Sequence, residues 1–407
     1  MADKHQRQAL AGPATERLAL IDTLRALALF GVVVMNLMGM VMLFKADQVL
    51  AAATPFDMGV GAIDLFFLMG KARSAFAFLF GVGFGMMLMR GRSGPEFARF
   101  HLWRMTLLLA IGVLHMAFLF WGDILILYAL LGMALLLFRN ASDALLLRLG
   151  LTLVILPPLV VGAVEAVMGA PVPNLAGLTA EQVFAQIEST APVYAGGDYV
   201  AFVRANVAYY LSHVQIDTGY VAVYDLSVFG LFLIGFWTAR RGVLRDVEAH
   251  RPLLRRIAWV ALPGGLLLGG VYMSRMMGVP TEGAVGGLVT AAYVGLPLAA
   301  LGYIAALSLW ITRGGRWLTT LFAPMGRMAL TGYLSASAIG SFVWYGWGLG
   351  LMTGSPLRTP IGMNLFGIAV FAGLCVFSAL WLRHFRFGPA EWLWRSLAYR
   401  KLQPLRR

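Results

Sequence analysis

The sequence predicts an all-α, polytopic integral membrane protein with about ten transmembrane helices. Three observations carry this. Apolar residues make up 60% of the 407-residue chain and charged residues 13%, where a soluble domain sits nearer half apolar and a quarter charged. The apolar residues come in blocks of about 20, the length a helix needs to cross roughly 30 Å of hydrocarbon. The Lys and Arg residues gather in every second loop between those blocks, the pattern of the positive-inside rule.

Ten apolar spans follow in order: 17–44, 71–89, 104–120, 123–138, 145–168, 220–237, 257–276, 287–311, 327–347 and 361–382. Segments 1–17, 90–104, 139–148, 240–256, 313–316 and 383–407 hold most of the cations, including Arg90, Arg92, Arg99, Arg104 and the run from Arg240 to Arg256. The opposite loops hold only Lys45, Arg204, Arg358 and Arg275 at a span edge. This asymmetry predicts both termini in the cytoplasm. The net charge of +13 is thus accounted for by these loops and by attraction to anionic lipid headgroups, not by nucleic acid, because no basic patch with interleaved aromatics exists. The N-terminal apolar run lacks a small-residue cleavage site and is long enough to span, so it reads as a first helix. Cys375 is the sole cysteine, which leaves no internal disulfide and no cysteine-based metal site.

The spans form one membrane domain over 1–382, with 383–407 as a cytoplasmic tail. Residues 55–70 are apolar yet carry Asp57 and Asp64, which fits an interfacial or re-entrant helix. Segment 169–219 is the one long outer segment. LTAEQVFAQIEST, opened by Thr179, and the stretch from Tyr199 to Leu211 read as short helices that cover an outward-facing cavity. In the tail, Trp392, Leu393 and Leu397 share a face against Arg395 and Arg400, an amphipathic interfacial helix that anchors the chain.

Polar residues inside a span cost roughly 2.5–3.5 kcal/mol each at the membrane centre, so they mark partners or cavities. The first span carries Asp22 and Arg25, three apart and on one face, either an internal ion pair or part of an inner-mouth site. Asn36 lies further along the same side, as interhelical glue or as a site amide. Lys71 and Arg73 open the second span. They either snorkel or form an anion site beside Asp64. Gly81 and Gly85 mark a close packing face rather than a phosphate loop. The third and fourth spans form a hairpin around WGD. It brings His115, read as the one intramembrane histidine, near Asp123, with Tyr128 at similar depth. A carboxylate that fixes a histidine tautomer makes a general base. Asp123 as a helix cap and His115 on a backbone carbonyl is the alternative. Arg327, Thr331, Tyr333, Ser335 and Ser337 crowd the start of the ninth span. No GxSxG elbow, HExxH or P-loop occurs.

Five stretches carry a family resemblance: RLALIDTLRALALFGVVVMNLMGM, GKARSAFAFLFGVGFGMML, HLWRMTLLLAIGVLHMAFLFWGDILILYALLG, GRMALTGYLSASAIGSFVWYGWGLGL and GPAEWLWRSLAYRKLQPLR. Together they resemble the YeiB-like family of bacterial inner-membrane proteins, a domain of unknown function, along nearly the whole chain. Gly332 and Ala336 stand where that family often has Asn and Gln. The family looks related to the transmembrane acyltransferases. The relation implies transfer of an acyl group from cytoplasmic acyl-CoA to an outward-facing sugar or lipid. The O-acetylating members have a histidine eleven residues after an arginine; here Asn36 fills that slot after Arg25. The base would then be His115, oriented by Asp123. Asn36, Tyr128, Tyr333, Lys71 and Arg73 would bind substrate, and Asp22, Arg25, Arg104 and Arg327 would meet the acyl donor. No metal and no permanent cofactor is expected beyond acyl-CoA as co-substrate; membrane lipids are the expected partners, and a homodimer stays open. A metabolite or lipid transporter, or a non-catalytic lipid-binding protein, is the competing expectation, because buried ionisable groups also line proton paths.

Overall fold

The computed structural model describes residues 2–89, 94–172, 180–211, 221–277 and 283–407. The loop residues Arg90 and Arg92, the Thr179 helix start and Tyr220 at the edge of the sixth span lie outside them. The described chain is helical, joined by short turns, with a single β-bridge between Phe385 and Arg406. Among the described residues, eight helical runs are long and apolar enough to cross a membrane. The fourth and ninth expected spans are also helices but shorter, Leu125–Phe138 and Ala329–Trp344.

The elements run as follows. Helix α1 (Ala2–Ala51) bends at Lys45, where φ is −144° and ψ is 24°. Helix α2 (Pro55–Phe67) starts on a capping box in which the Thr54 hydroxyl accepts from the Asp57 N–H and the Asp57 carboxylate accepts from the Thr54 N–H. Gly70, at φ 72°, turns the chain into α3 (Lys71–Leu88), so residues 55–67 form a helix of their own. Helices α4 (Pro95–Phe118) and α5 (Leu125–Ala134) make the hairpin, and α6 (Asp143–Met168) follows. The short helices α7 (Ala180–Ser189), α8 (Ala191–Ala195) and α9 (Tyr199–Tyr209) lie in the long segment between spans. Then come α10 (Leu226–Arg240), α11 (Arg251–Met273), α12 (Gly283–Ala291), α13 (Gly295–Arg313), α14 (Arg316–Arg327), α15 (Ala329–Trp344), α16 (Pro360–His384) and the tail helix α17 (Pro389–Ala398).

Two boundaries differ from the hydropathy reading. Helix α4 begins at Pro95, not near Arg104, because its first turns are polar and a hydropathy threshold starts late. The ninth span is broken at Met328 (φ −113°, ψ 30°), so Arg327 ends α14 while Thr331, Tyr333 and Ser337 belong to α15.

Helices α1 and α3 are central. Helix α1 packs on α3, α14, α15 and α16, and α3 packs on α10 and α13. Helices α6 and α11 show most of their surface outward. Lipid tails are as apolar as leucine, so association relies on close packing rather than on the hydrophobic effect. Small residues supply it: a Cβ on Gly81 would meet the Phe232 carbonyl oxygen at 2.1 Å, and one on Gly235 the Phe78 oxygen at 2.1 Å. The α3–α10 contact therefore brings backbone against backbone, the close face expected from Gly81 and Gly85.

Candidate functional site

The site is built at the end of the α4–α5 hairpin. Helix α4 ends as the Leu119 and Phe120 N–H groups both donate to the His115 carbonyl at 2.9 Å. The chain then turns through Trp121 and Gly122 to Asp123. One Asp123 oxygen accepts from the Ile126 N–H at 2.7 Å, capping α5. The other lies 2.7 Å from His115 Nδ1. Gly112, one turn before His115, permits the closeness: a Cβ there would meet the Ile126 nitrogen at 2.8 Å and Asp123 Oδ1 at 3.0 Å. Both readings of Asp123, helix cap and histidine partner, thus hold at once, through different oxygens.

The His115 and Asp123 side chains are 1% and 0% exposed. A buried carboxylate needs donors, and Asp123 has one on each oxygen. With Nδ1–H donating to Asp123, the imidazole carries its free lone pair on Nε2. That Nε2 atom is buried and makes no hydrogen bond among the described residues. The Tyr333 ring, on α15, lies 4.8 Å from the His115 ring, and its hydroxyl accepts from the Ile124 N–H at 3.4 Å. Tyr333 also lines a narrow crevice, too tight to admit a water molecule, with Val33, Asn36, Leu37, Ala336 and Ser337. Asn36, Tyr333, His115 and Asp123 therefore form one continuous chain of neighbours across α1, α15, α4 and the hairpin turn. Ala336, small where the resembled family often has Gln, lines the cleft.

Other expected members sit elsewhere. The Tyr128 hydroxyl donates to the Arg73 carbonyl at 3.2 Å, its ring packs against Phe76, Phe80 and Phe232, and it lies within Coulombic reach of Tyr333. Lys71 and Arg73 do not converge beside Asp64. Lys71 donates to the Leu65 carbonyl at 3.1 Å and approaches α11 at Gly269. The Arg73 guanidinium stacks 3.7 Å from the Tyr224 ring centroid, within Coulombic reach of Asp225. Asp64 instead accepts a hydrogen bond from the Asn364 amide on α16. Residues two apart on a helix face away from each other, which separates the two cations.

The four donor-side residues cluster at the opposite end of α1 and α4. Asp22 pairs with Arg25 at 2.8 Å and feels the Arg327 charge. Arg25 lies against Gly83 of α3. One turn along α3, Arg104 donates to the Met87 sulfur and lies 4.4 Å from the Trp394 ring centroid. Arg327 donates to the Arg386 carbonyl at 3.3 Å. Asn36 is fourteen residues beyond Asp22, about 21 Å along the helix, so the cation cluster and the histidine layer are separate.

Short helices border the site. The Asn206 amide donates to the Ala117 carbonyl at 3.1 Å and the Tyr199 hydroxyl to the Phe118 carbonyl at 2.9 Å. These are orphan carbonyls at the end of α4. Tyr194 stacks 4.0 Å on Phe44.

Two buried groups and one half-buried one were missed. His101 is intramembrane too, 1% exposed on α4, with Nε2 at 2.8 Å from the Gly132 carbonyl; the late start given to the third helix hid it. Glu165 on α6 accepts from the Thr290 hydroxyl at 2.5 Å and from the Val172 N–H at 3.2 Å. It stood as an acid within an apolar block, a legible signal. Glu391 of the tail contacts α15, through partners sixty residues away that no local pattern announces.

The fold and site together define a polytopic, all-helical membrane protein with a buried histidine–aspartate pair at a helix hairpin. Residues 238–401 match the family described as protein of unknown function (DUF418). That region holds Tyr333 and Glu391 but not His115. The chain is 32% identical to the uncharacterized protein YxaH of Bacillus subtilis (strain 168) over 96% of each chain. It is 28% identical to the uncharacterized protein YeiB of Escherichia coli (strain K12), covering 96% of this chain and 98% of that one. It is also 28% identical to an uncharacterized 39.9 kDa protein in the amylase 3' region of Bacillus acidopullulyticus, over 96% of each. The chain belongs to the YeiB/YxaH family of proteins of unknown function.

Proposed function

We propose that the protein is an acyl-CoA-dependent transmembrane acyltransferase of a bacterial inner membrane, with both termini cytoplasmic, acting on a sugar or lipid acceptor on the outer side. The observation that carries this reading is the buried His115–Asp123 pair, with Nε2 unpaired among the described residues and the His115 ring against Tyr333, which lines the crevice with Asn36. The donor phosphates would meet Arg25, Arg104 and Arg327. In the reaction, Nε2 takes the proton of an acceptor hydroxyl as its oxygen attacks the thioester carbonyl carbon. The carbonyl electron pair returns, the carbon–sulfur bond breaks, and the proton passes from His115 to the CoA thiolate. Asp123 holds the tautomer and offsets the imidazolium charge. Asn36 and Tyr333 are the donors placed to hold the developing oxyanion. Tyr128, engaged on Arg73, takes no part. The narrow cleft means that α15 must draw back from α1 to admit substrates.

A transporter or flippase is the second reading. Glu165–Thr290 and Asp64–Asn364 favour it, because they are buried polar pairs outside the dyad, and such groups line proton paths. Purified protein in proteoliposomes with labelled acyl-CoA separates the readings. Label transferred to the acceptor fraction supports the enzyme. Label crossing the bilayer without transfer supports the transporter, and retained, unreacted label supports a lipid-binding protein.

A further inference from the structure

The tail helix does more than rest on the surface. Leu393 and Leu397, its expected anchoring face, are about half exposed, but its other side docks on the two helices that carry the site. On α4, the Trp394 indole N–H donates to the Arg104 carbonyl at 3.1 Å, and the Trp103 indole N–H donates to the Leu397 carbonyl at 3.0 Å. On α15, Glu391 accepts from the Leu330 N–H at 2.7 Å, the Thr331 N–H at 3.0 Å and the Thr331 hydroxyl at 2.5 Å. The Ala390 N–H donates back to the Thr331 hydroxyl at 3.1 Å. Helix α15 has no side-chain cap of its own. The first N–H groups of a helix need acceptors, and an acid there also meets the positive end of the helix dipole. The cap thus comes from a residue sixty positions away. Gly388 makes room for it, since a Cβ there would collide with Glu391 Oε2 and with the Thr331 hydroxyl.

Tyr333 opens the second turn of α15, two residues past Thr331, and its ring lies 4.8 Å from the His115 ring. We infer that Glu391 is a positioning residue: from the tail it fixes the first turn of α15, and through it Tyr333 at the start of the next turn, against the His115 ring. The inference rests on the reading of His115–Asp123 as the working pair, but the contact it predicts does not depend on acyl transfer. A tail that only anchors the chain would need no carboxylate aimed at α15. The tail is a clamp that ties α4 to α15 and so sets how tightly the dyad is closed.

The test uses the full-length protein in lipid nanodiscs and diethyl pyrocarbonate, which modifies neutral imidazole nitrogens, with peptide masses read at His115 and His101. His101 serves as the internal control, because Phe84, Phe97 and the Gly132 carbonyl enclose it. In Glu391→Ala, modification of His115 is expected to rise roughly 5–30-fold, the change in opening equilibrium that a lost interaction of this kind brings, while His101 stays unchanged. Glu391→Gln keeps an acceptor for the two N–H groups and is expected to restore most of the protection. Unchanged His115 reactivity in Glu391→Ala overturns the inference. So does an equal rise at both histidines, or a Glu391→Gln variant no better than Glu391→Ala. None of these outcomes needs an acyl donor, so an inactive protein leaves the test intact.

Discussion

Nδ1 of His115 and Oδ2 of Asp123 lie 2.7 Å apart with both side chains out of solvent, and the second carboxylate oxygen caps the helix that follows. One residue thus shapes the hairpin and sets the histidine tautomer. Replacing Asp123 by Ala would leave His115 Nδ1 and the Ile126 N–H without their acceptor, at about 1–3 kcal/mol for each buried group. Asparagine preserves the shape and changes mainly the chemistry.

Two tyrosines separate structure from chemistry. Tyr128→Phe loses the bond to the Arg73 carbonyl, so melting should show a loss of about 1 kcal/mol with turnover retained. Tyr333→Phe loses only a long 3.4 Å bond, so stability should change little. Its turnover should fall roughly 10²–10³-fold if the hydroxyl stabilises the oxyanion. Parallel measurement of melting and acyl transfer checks both.

Glu165→Leu should destabilise the protein by about 1–3 kcal/mol for each partner it orphans, the Thr290 hydroxyl and the Val172 N–H. Glu165→Gln should lose less. Thermal unfolding in nanodiscs reads the difference, and equal stability of Glu165→Leu and the parent would contradict the geometry.

Gly81→Ala and Gly235→Ala each place a methyl into a facing backbone carbonyl. Each should cost about 1–3 kcal/mol through overpacking. Gly264→Ala, with nothing within 4 Å of the added carbon, should be tolerated and serves as the control in the same melting series.

Burial pushes the Glu391 carboxyl above its ordinary value of 4.5, and the donors on Thr331 and Leu330 only partly oppose it. The folded value exceeds the unfolded one, so this group's contribution is full below about pH 4.5 and declines as pH rises through the raised value. The stability difference between the parent and Glu391→Gln should therefore shrink from acid toward neutral pH, and a difference that grows with pH would oppose this assignment.

Much of the fold was legible because lipid removes alternatives: a long apolar block is a helix, and a polar residue inside it needs a reason. Asn36, His115, Asp123 and Tyr333 stood out on that ground, and the structure gathers them. Lys71 and Arg73 stood out equally but sit on different faces of α3, which proximity in sequence conceals. His101 was hidden by a polar first turn. The break at Met328 was not legible, since GRMALTG carries no proline or cap signal strong enough to split a span. The Glu391 cap on α15 was not legible either, because α17 and α15 meet only in three dimensions.

The most direct test of the central claim is transfer of labelled acyl groups by purified protein in proteoliposomes, compared with His115→Ala and Asp123→Asn. The account predicts transfer by the parent and a loss of roughly 10²–10⁴-fold in His115→Ala, with a substantial loss in Asp123→Asn at unchanged folding. Undiminished transfer in both variants would contradict it.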